Sequence, residues 1–295
     1  MRNDALIGFF CILYGTFFWG LVWFPYRLLN FGGIEPIQGS ALSFLIAAIL
    51  ALVFIVPKHY SEIFQNYKTL CIYASVGCLT NITYVLAVVY GEVVRSMLLF
   101  FMSPAWTVVL CFLLLPGDKF SIKDSVVALL SLLGGIVILF DSSLFNFNFG
   151  VSDLYALVAG IGFAWTNVLA RKYNHLSFQV KSFSIWFGVS LGAFFLLFIL
   201  KSFPSIANIS NSYNLFLILS IGSMLFISTL IIQFGLPRIH PVLASPIFLF
   251  EIIIAAFSSY FLANELLSIK DFIGGMLIIA AIFLSARHQS QKDTF

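Results

Sequence analysis

Charge is what this sequence has least of. Only 9% of its 295 residues are Asp, Glu, Lys or Arg, against about 25% in soluble domains, and no stretch is polar enough to form a water-facing domain. The acids Asp118, Asp124, Asp141, Asp153 and Asp271 are scattered along the chain. An integral-membrane enzyme acting on lipids usually gathers such groups at one interface to hold a metal and a phosphate, so that class fits poorly. Cys11, Cys71, Cys78 and Cys111 all fall within apolar runs, with no CxxC and no histidine set beside them. Neither a disulfide framework nor a metal or cofactor site is indicated. There is no phosphate loop, nucleotide-binding glycine turn or Ser/His/Asp arrangement, which argues against ATP-driven pumping by this chain alone. Polar residues within the apolar runs are too sparse to line a channel. The net charge of +3 resides in short connections and reflects topology rather than nucleic-acid affinity.

What is abundant is apolar surface. Hydrophobic residues make up 61% of the chain and aromatics 17%, with a mean hydropathy of +1.05, so the solvent of most side chains is a bilayer. Spanning about 30 Å of hydrocarbon takes about 20 apolar residues as a helix, which satisfies every backbone N–H and C=O internally. Ten runs qualify, near 5–26, 37–57, 69–90, 93–115, 122–140, 151–171, 181–200, 213–234, 240–262 and 269–286. Pro36, Pro57, Pro116 and Pro204 punctuate the connections, and Gly32-Gly33 and Asn208-Ile209-Ser210-Asn211 have turn chemistry. The first run is expected to be a retained span, not a cleaved signal.

The chain is doubled. Ser-Ile-Lys-Asp occurs at Ser121–Asp124 and again at Ser268–Asp271, each copy following an apolar run closed by an acid, Asp118 or Glu265. The expected units are 1–147 and 148–295, each of five helices. Of the fifteen Lys and Arg residues, all but Arg27, Arg95, Lys201 and Lys270 fall on one side if both termini are cytoplasmic, in keeping with the positive-inside rule. Five is odd, so the second unit enters the membrane upside down. Two such bundles related by an axis in the membrane plane make alternating access to a central pocket energetically accessible.

Glu251 is the one ionisable residue near the centre of an expected span. A charge there costs at least about 2.5–3.5 kcal/mol, so it faces a wet cavity, finds a partner or is protonated. It is a candidate for proton coupling or for binding a substrate ammonium; the alternative is a packing glutamate bonded to a hydroxyl or indole. Asn81 and Gln233 are carboxamides within spans and face protein or cavity rather than lipid. Arg95 is read as a gate residue for an anionic group, possible partner Glu92, or as an interfacial anchor. His240, beside Pro241, is read as a helix-end cap. Pro104 and Pro246 are expected to bend their helices.

In order and repeated, Trp19-Gly20, Ala164-Trp165, Ser103-Pro104 with Leu-Leu-Leu-Pro-Gly-Asp118, Phe250-Glu251 with Ala-Asn-Glu265, Gly134-Gly135 and Gly274-Gly275 resemble the drug/metabolite transporter superfamily, EamA type. The resemblance covers essentially the whole chain. It implies an all-α integral membrane protein of ten helices in two inverted five-helix repeats, a non-enzymatic, cofactor-free carrier of small metabolites. Where many relatives have an arginine near the start of helix 2, this chain reads Pro36-Ile37-Gln38-Gly39, echoed by Ser177-Phe178-Gln179. In that respect it is similar to the amino acid exporter branch, with nucleotide-type metabolites, S-adenosylmethionine and vitamins as other implied cargoes. The resemblance further implies a cavity lined by Trp19, Asn81, Tyr84, Phe101, Ser103 and Trp165 around Glu251. It also implies a bacterial inner-membrane location and a monomer or homodimer. An aromatic box with a few hydrogen-bonding groups suits a small amphipathic solute.

Overall fold

The computed structural model describes residues 2–114, 122–141, 146–147, 149–173, 175–235 and 250–292. Pro116, Asp118, Ser121, His240 and Pro246 lie outside them, as does the side chain of Gln233. The helices in the first half are α1 (Arg2–Leu21), α2 (Trp23–Phe31), α3 (Pro36–Phe54), α4 (Val56–Gln65), α5 (Tyr67–Tyr90), α6 (Val93–Phe100), α7 (Ser103–Leu114) and α8 (Ile122–Leu139). A single short ladder follows, β1 (Phe140–Asp141) antiparallel to β2 (Asn146–Phe147), with Phe140 opposite Phe147. The second half holds α9 (Val151–Lys172), α10 (Phe178–Leu200), α11 (Ile206–Ser210), α12 (Ser212–Gly235), α13 (Phe250–Ala263) and α14 (Ile269–Lys292).

Among the described residues, seven helical segments are long and apolar enough to cross a membrane: Leu6–Phe31, Pro36–Phe54, Tyr67–Tyr90, Val93–Leu114, Val151–Ala170, Phe178–Leu200 and Ser212–Ile232. Val126–Val137 and Phe250–Ala263 are shorter apolar helices. The protein is thus a multi-pass, essentially all-helical membrane protein. Two spans are interrupted. The first breaks at Val22, where Pro25 has no N–H to return to Leu21 and the next bond, Tyr26 N–H to the Val22 carbonyl, is stretched to 3.5 Å. The fourth breaks at Phe101-Met102, just before the expected Pro104 bend.

Two connections differ from the expectation. Residues after Pro57 form the amphipathic helix α4 instead of a loop, with Pro57 in its first turn, where a missing N–H costs nothing. The 208–211 stretch is mostly helix α11, because the Ser205 hydroxyl accepts the Asn208 N–H (3.1 Å) and so caps a turn. Gly32-Gly33 does turn, with Gly33 at φ +79°. The Ser-Ile-Lys-Asp motif also acquires a physical meaning. Ser268 Oγ accepts the Asp271 N–H (3.2 Å) while Asp271 Oδ2 accepts the Ser268 N–H (3.1 Å), a reciprocal cap that starts α14.

On α3, the buried face is mostly small, with Gly39, Ser40, Ala41, Ser43, Ala47, Ala48 and Ala51 beside the larger Phe44, while Ile49, Leu52, Val53 and Phe54 are exposed. Lipid supplies no hydrophobic drive between helices, so close backbone approach and dispersion hold them together. A Cβ at Gly188 of α10 would stand 2.6 Å from the Ala74 carbonyl, and one at Gly222 of α12 the same distance from that of Ser43.

Helix pairing is symmetric. α1 packs on α12 as α9 packs on α5; α3 on α12 as α10 on α5; α1 on α13 as α9 on α6 and α7. α3 pairs with α10, and α8 with α14. Exchanging each helix for its counterpart in the other half leaves this set unchanged. Polar contacts then define two ends. At one, Asn214 at the start of α12 donates to the Gly32 carbonyl after α2 (3.0 Å), and Gln38 at the start of α3 to the Ser202 carbonyl after α10 (2.9 Å). At the other, the Ser177 N–H before α10 donates to Glu62 of α4 (2.5 Å), and Gly235 at the end of α12 meets Gly8 and Cys11 of α1.

Candidate functional site

Four of the residues expected at the cavity are brought together. Trp19, at the end of α1, meets the ring of Tyr84 on α5 edge-on at 6.4 Å; Tyr84 meets Phe100 at 5.4 Å, and Phe100 meets Phe101 at 5.4 Å. Phe163 of α9 joins from the second half, 5.1 Å from Phe100. The first three contacts are edge-to-face and the Phe100–Phe163 pair is tilted, and such pairings fix ring positions more firmly than shape alone would. Phe101 stands in the break between α6 and α7, and Ser103 opens α7 buried directly after it.

Glu251 completes the group from α13. Its side chain is buried, and the Tyr84 phenol lies within electrostatic reach of its carboxyl group. Among the described residues nothing donates a hydrogen bond or ion pair to that carboxyl group, and the buried Tyr84 hydroxyl also has no hydrogen-bond partner. A buried polar group left unmatched costs roughly 1–3 kcal/mol, more if charged. Tyr84 and Glu251, one from each half, thus set an unpartnered hydroxyl within electrostatic reach of an unpartnered carboxyl group among the described residues. The indole bond weighed in the sequence falls elsewhere: Trp23 Nε1 donates to Ser258 Oγ (3.1 Å), about two turns along α13 from Glu251.

Backbone approach places the carboxyl group. A Cβ at Gly20 would stand 2.9 Å from the carbonyl oxygen of Glu251, and one at Gly160 would stand 2.7 Å from that of Phe100. Each glycine thus brings its helix, α1 or α9, against the backbone of the other half's fourth expected span, at Glu251 and at Phe100, a residue that no motif signalled.

The other candidates are placed differently. Asn81 is half-buried, and its amide donates back to the Gly77 carbonyl one turn earlier (2.9 Å). Trp165 packs with Tyr73, Val76 and Leu169, away from the Trp19–Tyr84–Phe100 chain of rings. Gln233 lies in the last turn of α12. Arg95 pairs with Asp153 rather than Glu92, Nε to Oδ1 at 2.8 Å and Nη2 to Oδ2 at 3.0 Å. Asp153 also accepts the Gly150 N–H (2.8 Å), capping the helix it sits on. Glu92 and Asp271 remain within electrostatic reach of Arg95.

Sequence reasoning did not anticipate Arg27. Its Nη1 pairs with Glu265 Oε1 at 2.7 Å, Nε donates to the Val88 carbonyl (3.0 Å), and Nη2 donates to Gly91. Glu265 Oε2 takes the Val93 N–H at the start of α6 (2.7 Å).

A profile of the EamA-like transporter family matches this chain twice, over residues 6–140 and 150–287. No curated protein sequence matches it. Thirteen chains of solved structures do. One, a crystal structure, aligns at 15% identity over 96% of this chain and 98% of its own with a TM-score of 0.57, a likeness of fold alone. With both halves matched, nearly end to end, this multi-pass membrane protein belongs to the EamA-like transporter family.

Proposed function

We propose that the protein is a secondary-active, alternating-access carrier of ten spans in two inverted five-helix repeats, and that it binds its solute between Glu251 and the Trp19–Tyr84–Phe100 rings. The observation that carries this reading is the buried Glu251 side chain, its carboxyl group without a hydrogen-bond partner among the described residues, within electrostatic reach of the unpartnered Tyr84 hydroxyl from the other half. Inversion is supported by the ends that meet: α2 finishes beside the start of α12, and α6 starts beside the start of α9 through Arg95 and Asp153. The repeats are proposed as 1–147 and 148–295. In this reading the Arg27 end faces away from the cytoplasm, as the lysine and arginine distribution requires. Both termini are then cytoplasmic, in a bacterial inner membrane.

The solute class follows from what lines the pocket. A carboxyl group, a phenol and aromatic faces suit a small molecule with an amine and an apolar or aromatic body, for which ammonium–π and carboxylate contacts add. Amino acids satisfy this description, the Asn81 amide oxygen being a further acceptor. Phosphorylated or nucleotide-type cargo is less well matched, since Arg27 and Arg95 are engaged by Glu265 and Asp153. Glu251 would alternate between proton and ammonium as the pocket turns from one side to the other.

Counterflow in proteoliposomes, against a panel of labelled amino acids, amines and nucleosides, tests this reading. It predicts accumulation of at least one amine-bearing aromatic or aliphatic solute, lost in Trp19→Ala and Tyr84→Ala. Accumulation of nucleotides alone, or of nothing, would overturn the proposed substrate class.

A further inference from the structure

We infer that α2 and α6 are two swinging half-helices whose arginines form an ion-paired gate at the Arg27 end, closed in this structure; the inference rests on the carrier reading above. Three observations converge on it. The first is the pair of breaks. α2 is a nine-residue segment set off from α1 at Val22, and α6 an eight-residue segment set off from α7 at Phe101-Met102. Both pieces lie at the same end, and each break weakens the hydrogen-bond ladder of its span, by the absent Pro25 N–H in the first and by a turn at Phe101-Met102 in the second.

The second is what each piece carries. Arg27 on α2 and Arg95 on α6 both bind a carboxylate of the second half, Glu265 after α13 and Asp153 in the first turn of α9. Glu265 is shared, since its other oxygen caps the Val93 N–H of α6. A continuous polar chain therefore runs from α2 through Glu265 to α6 and on through Asp153 to α9. Side-chain exposures of 15% for Arg27 and 18% for Glu265 leave this pair at the edge of water, where parting exchanges protein contacts for hydration, whereas Asp153, at 5%, is buried.

The third observation links the gate to the pocket. The Arg27 guanidinium lies 4.9 Å over the ring of Trp23, whose indole is tied to Ser258 on the helix that carries Glu251. Trp23 stands one turn beyond Trp19, on the far side of the Val22 break. Movement of α2 thus shifts Trp23 relative to Trp19 and the Tyr84–Phe100 rings, so release of Arg27 opens a path between Trp23 and the Glu251 carboxyl group.

Spin labels placed at Phe31 and Leu266 report the separation of α2 from the Glu265 segment; both positions are exposed, at 82% and 78%. The measurement uses the full chain, with Cys11, Cys71, Cys78 and Cys111 replaced, in lipid vesicles without solute. Pulsed dipolar spectroscopy is expected to give two distances, a short one belonging to the paired state and a longer one for the open gate. Glu265→Gln should raise the longer population by about tenfold relative to the shorter, while Arg27→Lys, which keeps the charge, should move it less. A single distance in the labelled parent overturns the gate whether or not the variants fold, as does an unchanged distribution in folded Glu265→Gln. Two distances in vesicles that carry no solute of the panel would uphold the gate and overturn the carrier reading instead.

Discussion

The Tyr84 phenol on α5 lies within electrostatic reach of the Glu251 carboxyl group on α13, in the other half of the chain, and its buried hydroxyl has no hydrogen-bond partner among the described residues. Such a hydroxyl is ordinarily matched in a folded interior. Tyr26, Ser40, Ser43, Tyr73 and Trp106 also carry unpartnered buried atoms; Tyr84 is set apart from them by its nearness to a buried carboxyl group.

Replacing Glu251 by Gln keeps shape and hydrogen bonding but removes the titrating group. If that group carries the proton, gradient-driven accumulation should fall about 5- to 150-fold, the usual size of a coupling between two sites, with solute exchange preserved. Flux assays in vesicles with and without a pH gradient separate the two. Equal loss of both would assign Glu251 to solute binding, and wild-type behaviour would remove it from the mechanism.

Gly188→Ala places a methyl group 2.6 Å from the Ala74 carbonyl, against backbone that has nowhere to go. Overpacking of this kind costs about 1–3 kcal/mol. A lowered thermal transition in detergent is expected. Gly150→Ala is the control, since the nearest atom to its added methyl group would be 3.6 Å away.

Asp153→Asn should destabilise more than the double variant Arg95→Gln/Asp153→Asn, because the single change leaves the Arg95 guanidinium, 18% exposed, beside a neutral amide. Removing one partner of a buried pair typically costs about 3–5 kcal/mol, and partial solvent contact here puts the expectation at the lower end of that range. A double-mutant cycle on unfolding midpoints measures it.

Glu62, outside the spans, gives a pH signature. Burial pushes its carboxyl group up, but the N–H and hydroxyl of Ser177 and the His59 imidazole outweigh that and hold it below its ordinary value of 4.5. A depressed carboxyl pKa contributes stability that is present above 4.5 and disappears as pH falls through the folded-state value. Thermal stability should therefore drop on acidification below about pH 4.5, and less steeply in Glu62→Gln.

Much of this fold was legible because apolar run length is a strong signal. The faces of each run were not. Leu, Ile, Phe and Val surround most helices on all sides, so the period-3.6 pattern that marks a buried stripe in water is missing, and on α3 the buried face is marked instead by its small residues. The Val22 break could have been read from Pro25, which lacks the N–H needed to continue the helix. Arg27 and Glu265 could not have been paired by inspection, being 238 residues apart. Motif position singled out Tyr84 and Trp19, whose rings the fold sets edge to face, whereas nothing in the sequence sets Phe100 apart from the other phenylalanines, 35 in all. Trp165 was singled out in the same way, and its side chain packs with Tyr73, Val76 and Leu169.

Two-sided accessibility of the pocket is the most direct test of the account. A single cysteine at Phe100, in a background without the four native cysteines, would be probed in vesicles of known orientation with a membrane-impermeant maleimide added to one side at a time. Alternating access predicts labelling from both sides, slowed by a transported solute. Labelling from one side only, or from neither in a protein that is otherwise folded, would contradict it.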